Sequence, residues 1–309
     1  MATATLSLLA ACSGGGADGG SGDRLFADGT PIDGTDLASY IGKSFQVRMS
    51  FAEDDATQAT VGVTSGTVEI IDVDTIDVTL GDDSPVGPAG TTRFTRDGSA
   101  FFINTDGYRI NYDDLTVTQF FLTSEESEPT LVTGVFGFVT PESGYPTTFN
   151  TLTFDVRSYA WFNLAGDGSS EFAELYGENF AGEKAVDLTV NFDTDAVTGT
   201  LFDGDALVNL DGDPDDDDLL AIVLTMDGTL GPNGITGTFT GTASSDIDDD
   251  GIDVEALTFT ATNTSVNADL FGNTPERISG VFSGDFTLGD GAGLSISGEG
   301  AGFFDAQVD

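Results

Sequence analysis

The residues best suited to chemistry in this 309-residue chain are its carboxylates. In SDIDDDGIDVE (245–255), Asp246, Asp248 and Asp250 alternate and Gly251 follows. That is how an oxygen-ligand calcium loop opens: alternate carboxylates converge while glycine allows the turn. The twelfth position, where a bidentate glutamate closes an EF-hand loop, is Leu257, so an EF-hand is excluded. Two readings stand: a looser calcium-stabilised hairpin that adds Asp253 or Glu255, and an acidic loop that is simply hydrated. Asn209, Asp211, Asp213 and Asp215 in NLDGDPDDDD (209–218) pose the same choice. Calcium is the one ion these patterns suggest, and no pattern requires a cofactor.

Other chemistries lose a required member. The chain has no histidine and a single cysteine, so Ser–His–Asp and Cys–His catalysis, imidazole metal sites and an internal disulfide are all excluded. Two carboxylates at fixed separation could serve a glycosidase, but 53 acidic residues bring pairs together by chance, and Trp161 is the only tryptophan available for a sugar platform. Tyr145, Tyr159 and Tyr176 could ligate haem iron, yet with no histidine to support them they read as rim or core aromatics. The expectation is a protein that is not an enzyme. Nine Lys+Arg against 53 Asp+Glu leave a net charge of −44, which repels nucleic-acid phosphates and anionic lipid, so no nucleic-acid partner is expected. Such a bias suits a salty or calcium-containing medium that screens the self-repulsion.

The elements that must carry these residues read as strands almost throughout. TVEIIDVDTIDVTL (67–80), SAFFIN (99–104), YRINY (108–112), LTVTQFFLT (115–123) and TLVTGVFGFV (130–139) are rich in β-branched and aromatic residues, with turn signals such as Asp97-Gly98 between them. Helical periodicity is weak and confined to DLASYIGKSF (36–45) and SSEFAELYG (169–177). A boundary is expected near PESGYPTTFN (141–150), where prolines interrupt the rhythm. Eight or nine strands of similar length follow, including AVDLTVNF (185–192), LLAIVLTM (219–226), VEALTFTA (254–261), SVNADLF (265–271) and LSISGEGAGFF (294–304). The expected fold is all-β: an eight-stranded antiparallel up-and-down barrel, which leaves no free edge, preceded by a smaller β-rich domain.

One pattern recurs inside the strands. Val132-x-Gly134-x-Phe136, Val197-x-Gly199-x-Leu201, Ile235-x-Gly237-x-Phe239 and Ile278-x-Gly280-x-Phe282 each set an apolar residue two before a glycine and another two after it. With a side-chain period of two, all three point to one face. Inside a small barrel, glycines alternating with large residues fill the interior and permit tight coiling, so these barrel walls should enclose a packed core and not a pore.

Two resemblances add to this reading. The run ATLSLLAAC (4–12), ending Leu9-Ala10-Ala11-Cys12 before SGGGADGGSG, resembles the lipobox of bacterial lipoproteins. It implies a signal peptide over 1–12, lipid attachment at Cys12, a Gly/Ser-rich tether over 13–35 and, with Ser13 next, the outer membrane. The usual basic opening segment is missing, as expected from a start codon placed too far downstream. LFGNTPERISGVF (270–282) resembles the barrel signature of transferrin-binding protein B-like surface lipoproteins, a group that includes factor H-binding protein. Phe271, Gly272, Glu276, Gly280 and Phe282 match that signature, while Asn273 replaces its second aromatic; DLTVNFDTDAVTGTLF (187–202) and GEGAGFFDAQ (298–307) resemble the same domain. The resemblance implies a handle domain over 36–140 and a barrel domain over 141–309. It also implies a cell-surface receptor for a protein or solute, with an iron-carrying protein and a TonB-dependent outer-membrane receptor as partners. The competing expectation is a structural or adhesive envelope protein with calcium-stabilised acidic loops.

Overall fold

The computed structural model describes residues 24–25, 31–32, 37–55, 58–80, 90–97, 101–104, 107–112, 119–124, 130–147, 150–165, 170–176, 186–208, 218–246, 254–272, 274–289 and 295–308. A two-residue ribbon, β1 (Arg24–Leu25) with β2 (Pro31–Ile32), precedes a 3₁₀ turn at Leu37–Tyr40. Eight strands follow: β3 (Ser44–Asp55), β4 (Gln58–Asp72), β5 (Thr75–Leu80), β6 (Gly90–Asp97), β7 (Phe101–Ile103), β8 (Tyr108–Tyr112), β9 (Gln119–Ser124) and β10 (Thr130–Gly137). Each pairs antiparallel with the next, and β10 returns to β3 through Thr130↔Glu53 to Val135↔Arg48, closing a barrel. The first domain is therefore itself an eight-stranded barrel.

The second barrel runs through β11 (Thr151–Ala165), β12 (Ser170–Tyr176), β13 (Asp187–Asn191), β14 (Ala196–Val208), β15 (Asp218–Gly231), β16 (Gly234–Asp246), β17 (Val254–Phe271), β18 (Arg277–Gly289) and β19 (Ser295–Val308). Pairing of β11 with β19 over Phe154↔Val308 to Ala165↔Ser297 closes it. On its other side β11 pairs first with β13, over Thr151–Asp155, and then with β12, over Tyr159–Ala165. Two short strands thus share one place, and the wall has eight positions. The eight-stranded antiparallel barrel expected of the carboxyl-terminal half is present.

Local expectations failed where tertiary pairing overrode them. The stretch 67–80 is not one strand but the end of β4 and all of β5, folded back at Val73-Asp74 so that Asp72 pairs Thr75. SSEFAELYG carries a strand and no helix, because its backbone groups are met by the edge of β11. VEALTFTA and SVNADLF are one strand, β17, bent where Asn263 takes φ 52 and the register with β18 shifts between Thr262 and Ser265.

Each barrel has its own filled interior. In the first, Tyr40 from the 3₁₀ turn plugs one end, edge-on to Phe120 at 5.6 Å, and Phe120 stacks on Phe136 at 4.8 Å. In the second, Phe162, Phe202, Phe239, Phe282 and Phe286 meet ring against ring. The apolar residues flanking all four repeated glycines are buried and belong to these interiors.

Candidate functional site

Ile278, Gly280 and Phe282 face the interior of the second barrel, as the spacing predicts, yet Ser279 and Val281 between them are buried as well. A barrel strand buried on both faces has something against its outside. Here it is the first barrel. Val281, Phe271 and Phe303 pack with Val135, Val63 and Phe121 of the first barrel, Phe121 meeting Phe303 edge-on at 6.2 Å. Farther along, Trp161, Ala301 and Tyr159 pack with Ala52, Val61, Val63 and Leu131, and Tyr159 stands edge-on to Trp161 at 4.7 Å.

The contacts fix the relative placement of the barrels. Arg48 and Gln119, near one end of the first barrel, meet Asp269, Ser279 and Asp305, near one end of the second; Ala52 and Val61 meet Trp161 and Ala301 farther up. The barrels lie side by side with matching ends together. At the near end lie the entry of β3, the Val73-Asp74 turn, the exit of β10, the short turns 192–195, 232–233 and 272–276, and Val308. Strands terminate at the far end at Asp55, Leu80, Ser124, Ala165, Val208, Asp246 and Gly289.

Polar groups lock the near end of this seam. Arg48 Nε donates to Asp269 Oδ2 at 2.9 Å, its Nη2 reaches Asp269 Oδ1 and the Asn233 carbonyl at 3.4 Å each, and Asp269 is buried. Beside it, Arg277 Nη1 donates to Asp305 Oδ2 at 3.3 Å and to Gln119 Oε1 at 3.5 Å. Gln119 Nε2 donates to Ser279 Oγ at 2.5 Å and to Asp305 Oδ1 at 3.3 Å, and the Ser279 hydroxyl also donates to Asp305. In a chain with nine basic residues, Arg48 and Arg277 neutralise carboxylates at the seam, where desolvation makes an unpaired carboxylate most costly. Arg48→Ala should therefore cost about 2 kcal/mol, because it leaves Asp269 buried without its counter-ion. Adding Asp269→Asn should recover part of that cost, and denaturant midpoints of the two variants measure both effects.

The signature residues form the corner beside this lock. Phe271 ends β17 and forms an isolated bridge with Val139 of the segment joining the barrels; the Thr140 amide donates to the Leu270 carbonyl at 2.7 Å, and the Gly272 amide to the Phe138 carbonyl at 3.1 Å. Gly272 has φ 105, a conformation that favours glycine, and a Cβ there would lie 2.8 Å from the Thr274 carbonyl oxygen. The Glu276 amide closes the corner on the Phe271 carbonyl at 3.1 Å. Phe271, Gly272 and Glu276 thus hold the interbarrel segment, while Gly280 and Phe282 serve the barrel interior. In these contacts Glu276 acts through its backbone amide, and the other four residues carry no ionisable group.

Of the calcium candidates, Asp246 ends β16, its side chain not among those described, and Asp248, Asp250 and Asp253 lie outside the described residues, as does Cys12. Asn209, Asp211, Asp213 and Asp215 lie outside them too. Among the described residues no group of three His, Cys, Asp or Glu side chains could hold a metal ion. A void in the second barrel, lined by Phe162, Leu224, Phe239, Phe259 and Phe282, has about 10 Å³, room for one water. One in the first, lined by Val78, Phe94 and Leu122, is as small.

Among the described residues few titrations are perturbed. Arg93 forks onto Asp77 with two 2.7 Å hydrogen bonds and holds that carboxyl below its ordinary value, on the exposed outer wall. Tyr145 packs on Phe192 at 5.3 Å; burial, aided by Glu142, Asp269 and Asp195, pushes its phenol above the usual 10.0. The native state therefore favours the neutral phenol. That increment of stability is complete below pH 10.0 and is lost as pH rises through the elevated folded value. Tyr145→Phe should flatten the alkaline limb of a stability–pH curve and remove one tyrosinate transition lying above the ordinary range.

The seam residues Arg48, Gln119, Trp161, Asp269 and Asp305 escaped the sequence reading. One signal was available: Ile278 to Phe282 is an uninterrupted apolar and small run, the pattern of a strand covered on both faces.

No family model matches the chain, and no curated protein matches it by sequence. Among solved structures it is similar to a mutant of transferrin binding protein B from Haemophilus parasuis, with 11% identity and a TM-score of 0.38 over 84% of this chain. It spans 65% of the length of that protein, just under two thirds. It is also similar to the haemoglobin receptor HpuA from Kingella denitrificans, solved in complex with human haemoglobin, with 11% identity and a TM-score of 0.32, covering 94% of this chain and 91% of HpuA. Isotype 1 transferrin binding protein B from serogroup B Neisseria meningitidis aligns over 85% of this chain and 63% of its own, with 13% identity and a TM-score of 0.37.

Proposed function

We propose that this protein is a lipid-anchored outer-membrane receptor that binds another protein through its far end and carries out no chemistry of its own. The observation that carries this reading is the side-by-side welding of two filled barrels. With both interiors occupied by phenylalanines, a ligand larger than water has to bind outside, and with the barrels locked at the seam their far ends form one rigid platform. The chain enters the first barrel at the near end, so a tether from Cys12 leaves the far end pointing outward. The segments joining Val208 to Asp218 and Asp246 to Val254 are dense in aspartate, which steers cationic or metal-loaded partners toward that platform.

The resemblance of Phe271 to Phe282 to the transferrin-binding protein B signature supports an iron-carrying protein as partner and a TonB-dependent receptor as the acceptor of its cargo. Immobilised full-length chain is to be probed with iron-loaded transferrin and with haemoglobin. Saturable binding that disappears when 209–217 and 247–253 are replaced by Gly/Ser linkers of equal length is the expected result. Recovery of divalent cations alone from the native medium would sink the receptor and leave the structural role. Calcium belongs to this proposal as a stabiliser of 245–255, and a melting temperature unmoved by millimolar calcium would remove it. Labelled palmitate should appear on the protein in cells and vanish with Cys12→Ser.

A further inference from the structure

Among the described residues three large apolar side chains stand exposed: Ile41 at 44%, Val73 at 37% and Val139 at 42%. They belong to three different segments, yet all three lie at the near end. Ile41 follows the 3₁₀ turn, where the Gly42 amide donates to the Ile70 carbonyl at 2.7 Å; Val73 lies three residues past Ile70, in the β4–β5 turn. Val139 lies in the segment between the barrels, bridged to Phe271 at the near-end corner of the second barrel. Elsewhere on the described surface, large apolar side chains are covered at least in part.

We infer that this end rests on a lipid surface, with Ile41, Val73 and Val139 entering the headgroup layer. The inference rests on the lipid-anchor reading of Cys12. The amino-terminal segment supplies the argument for lipid as the occupant. It reaches the fold at Leu37, four residues before Ile41, so the anchor delivers this end to the bilayer. The Gly/Ser-rich stretch between Cys12 and the β1–β2 ribbon, eleven residues long, spans about 17–20 Å and does not set the orientation of the barrels; three apolar contacts on three segments do. Among the described residues the near end carries Asp72, Asp74, Asp97, Glu142, Asp193 and Asp195 beside Lys43 and Arg96, and Arg96 is bonded to the Val73 carbonyl at 3.2 Å; this acidic excess repels anionic lipid, so the matching surface is zwitterionic.

The experiment couples the full chain through Cys12, its only thiol, to maleimide lipid in phosphatidylcholine vesicles with brominated acyl chains, which quench indoles that reach them. Chemical coupling makes the result independent of whether cells lipidate Cys12; palmitate labelling answers that question separately. Trp161 is buried in the seam and gives a constant background. Ile41→Trp is expected to lose about half of its added emission, and Thr258→Trp, exposed at the far end, almost none. Adding Val73→Ser and Val139→Ser to Ile41→Trp should reduce quenching to the Thr258→Trp level, with circular dichroism confirming an unchanged fold. Equal quenching at positions 41 and 258, or none at 41, overturns the inference. An emission shift of Ile41→Trp that grows with protein concentration in the absence of vesicles also overturns it, since the near end would then be covered by a second copy.

Discussion

Gly280→Val is expected to destabilise the second barrel by about 3 kcal/mol or more, the upper range for forcing atoms into a packed core. A Cβ at position 280 would meet Ala268 Cβ at 2.5 Å and Ala268 Cα at 2.6 Å, and would collide with the Asn267 carbonyl oxygen. These atoms belong to the backbone of β17 or sit directly on it, so no side-chain rotation relieves the clash. Replacing a glycine also restricts the unfolded chain, a gain of about 0.4–1 kcal/mol, which the collision outweighs. Gly231 supplies the contrast, since the nearest atom to its Cβ is the Gly234 carbonyl oxygen at 3.7 Å, an ordinary contact. Gly231→Ala should stay within about 1 kcal/mol of the parent. Urea denaturation of both variants, followed by far-ultraviolet circular dichroism, makes the comparison. Equal effects would mean that Gly280 is not where β18 closes upon β17.

Val281→Asp, one residue away, should fail differently. Its side chain points out of the barrel into the apolar part of the seam, among Val135, Phe271 and Phe303. An unpaired carboxylate there costs on the order of 4 kcal/mol. The molecule can escape that cost by parting the seam, because each barrel keeps its own hydrogen-bonded wall and its own core cluster. The expected outcome is two barrels that remain folded but no longer dock: strand circular dichroism is preserved, a single melting transition divides in two, and Trp161 emission shifts to the red as its ring meets water. Unchanged Trp161 emission with a single transition would show that the barrels do not depend on this contact. The receptor reading is tested by the same variant, since a split platform should lose its partner while both barrels survive.

These neighbouring substitutions mark what the linear pattern could and could not tell. Alternation along Ile278, Gly280 and Phe282 predicted which residues face the core, and their burial agrees. The same pattern at Val132, Gly134 and Phe136 was present in the amino-terminal half and signalled a second closed barrel there, where the expectation went no further than a β-rich domain. At Gly134 the reason for the glycine is again steric: a Cβ would lie 2.8 Å from the Arg48 carbonyl oxygen across the closing β10–β3 pair. At SSEFAELYG the local pattern misled, because its apolar spacing suits a helix in isolation while the backbone of Ser170–Tyr176 pairs with the edge of β11.

From the amino-acid order alone came the exclusion of histidine and disulfide chemistry, the strand rhythm, the inward face of each glycine repeat and the acidic character of the connections. These follow from residue type and from a period of two, both local properties of the chain. Tertiary structure decided that both halves close, that β12 and β13 share one place in a wall, and that Arg48 finds Asp269 across 221 positions of sequence. Closure and docking depend on which strands meet, and that is chosen by backbone pairing and apolar burial between distant segments, which no local pattern encodes.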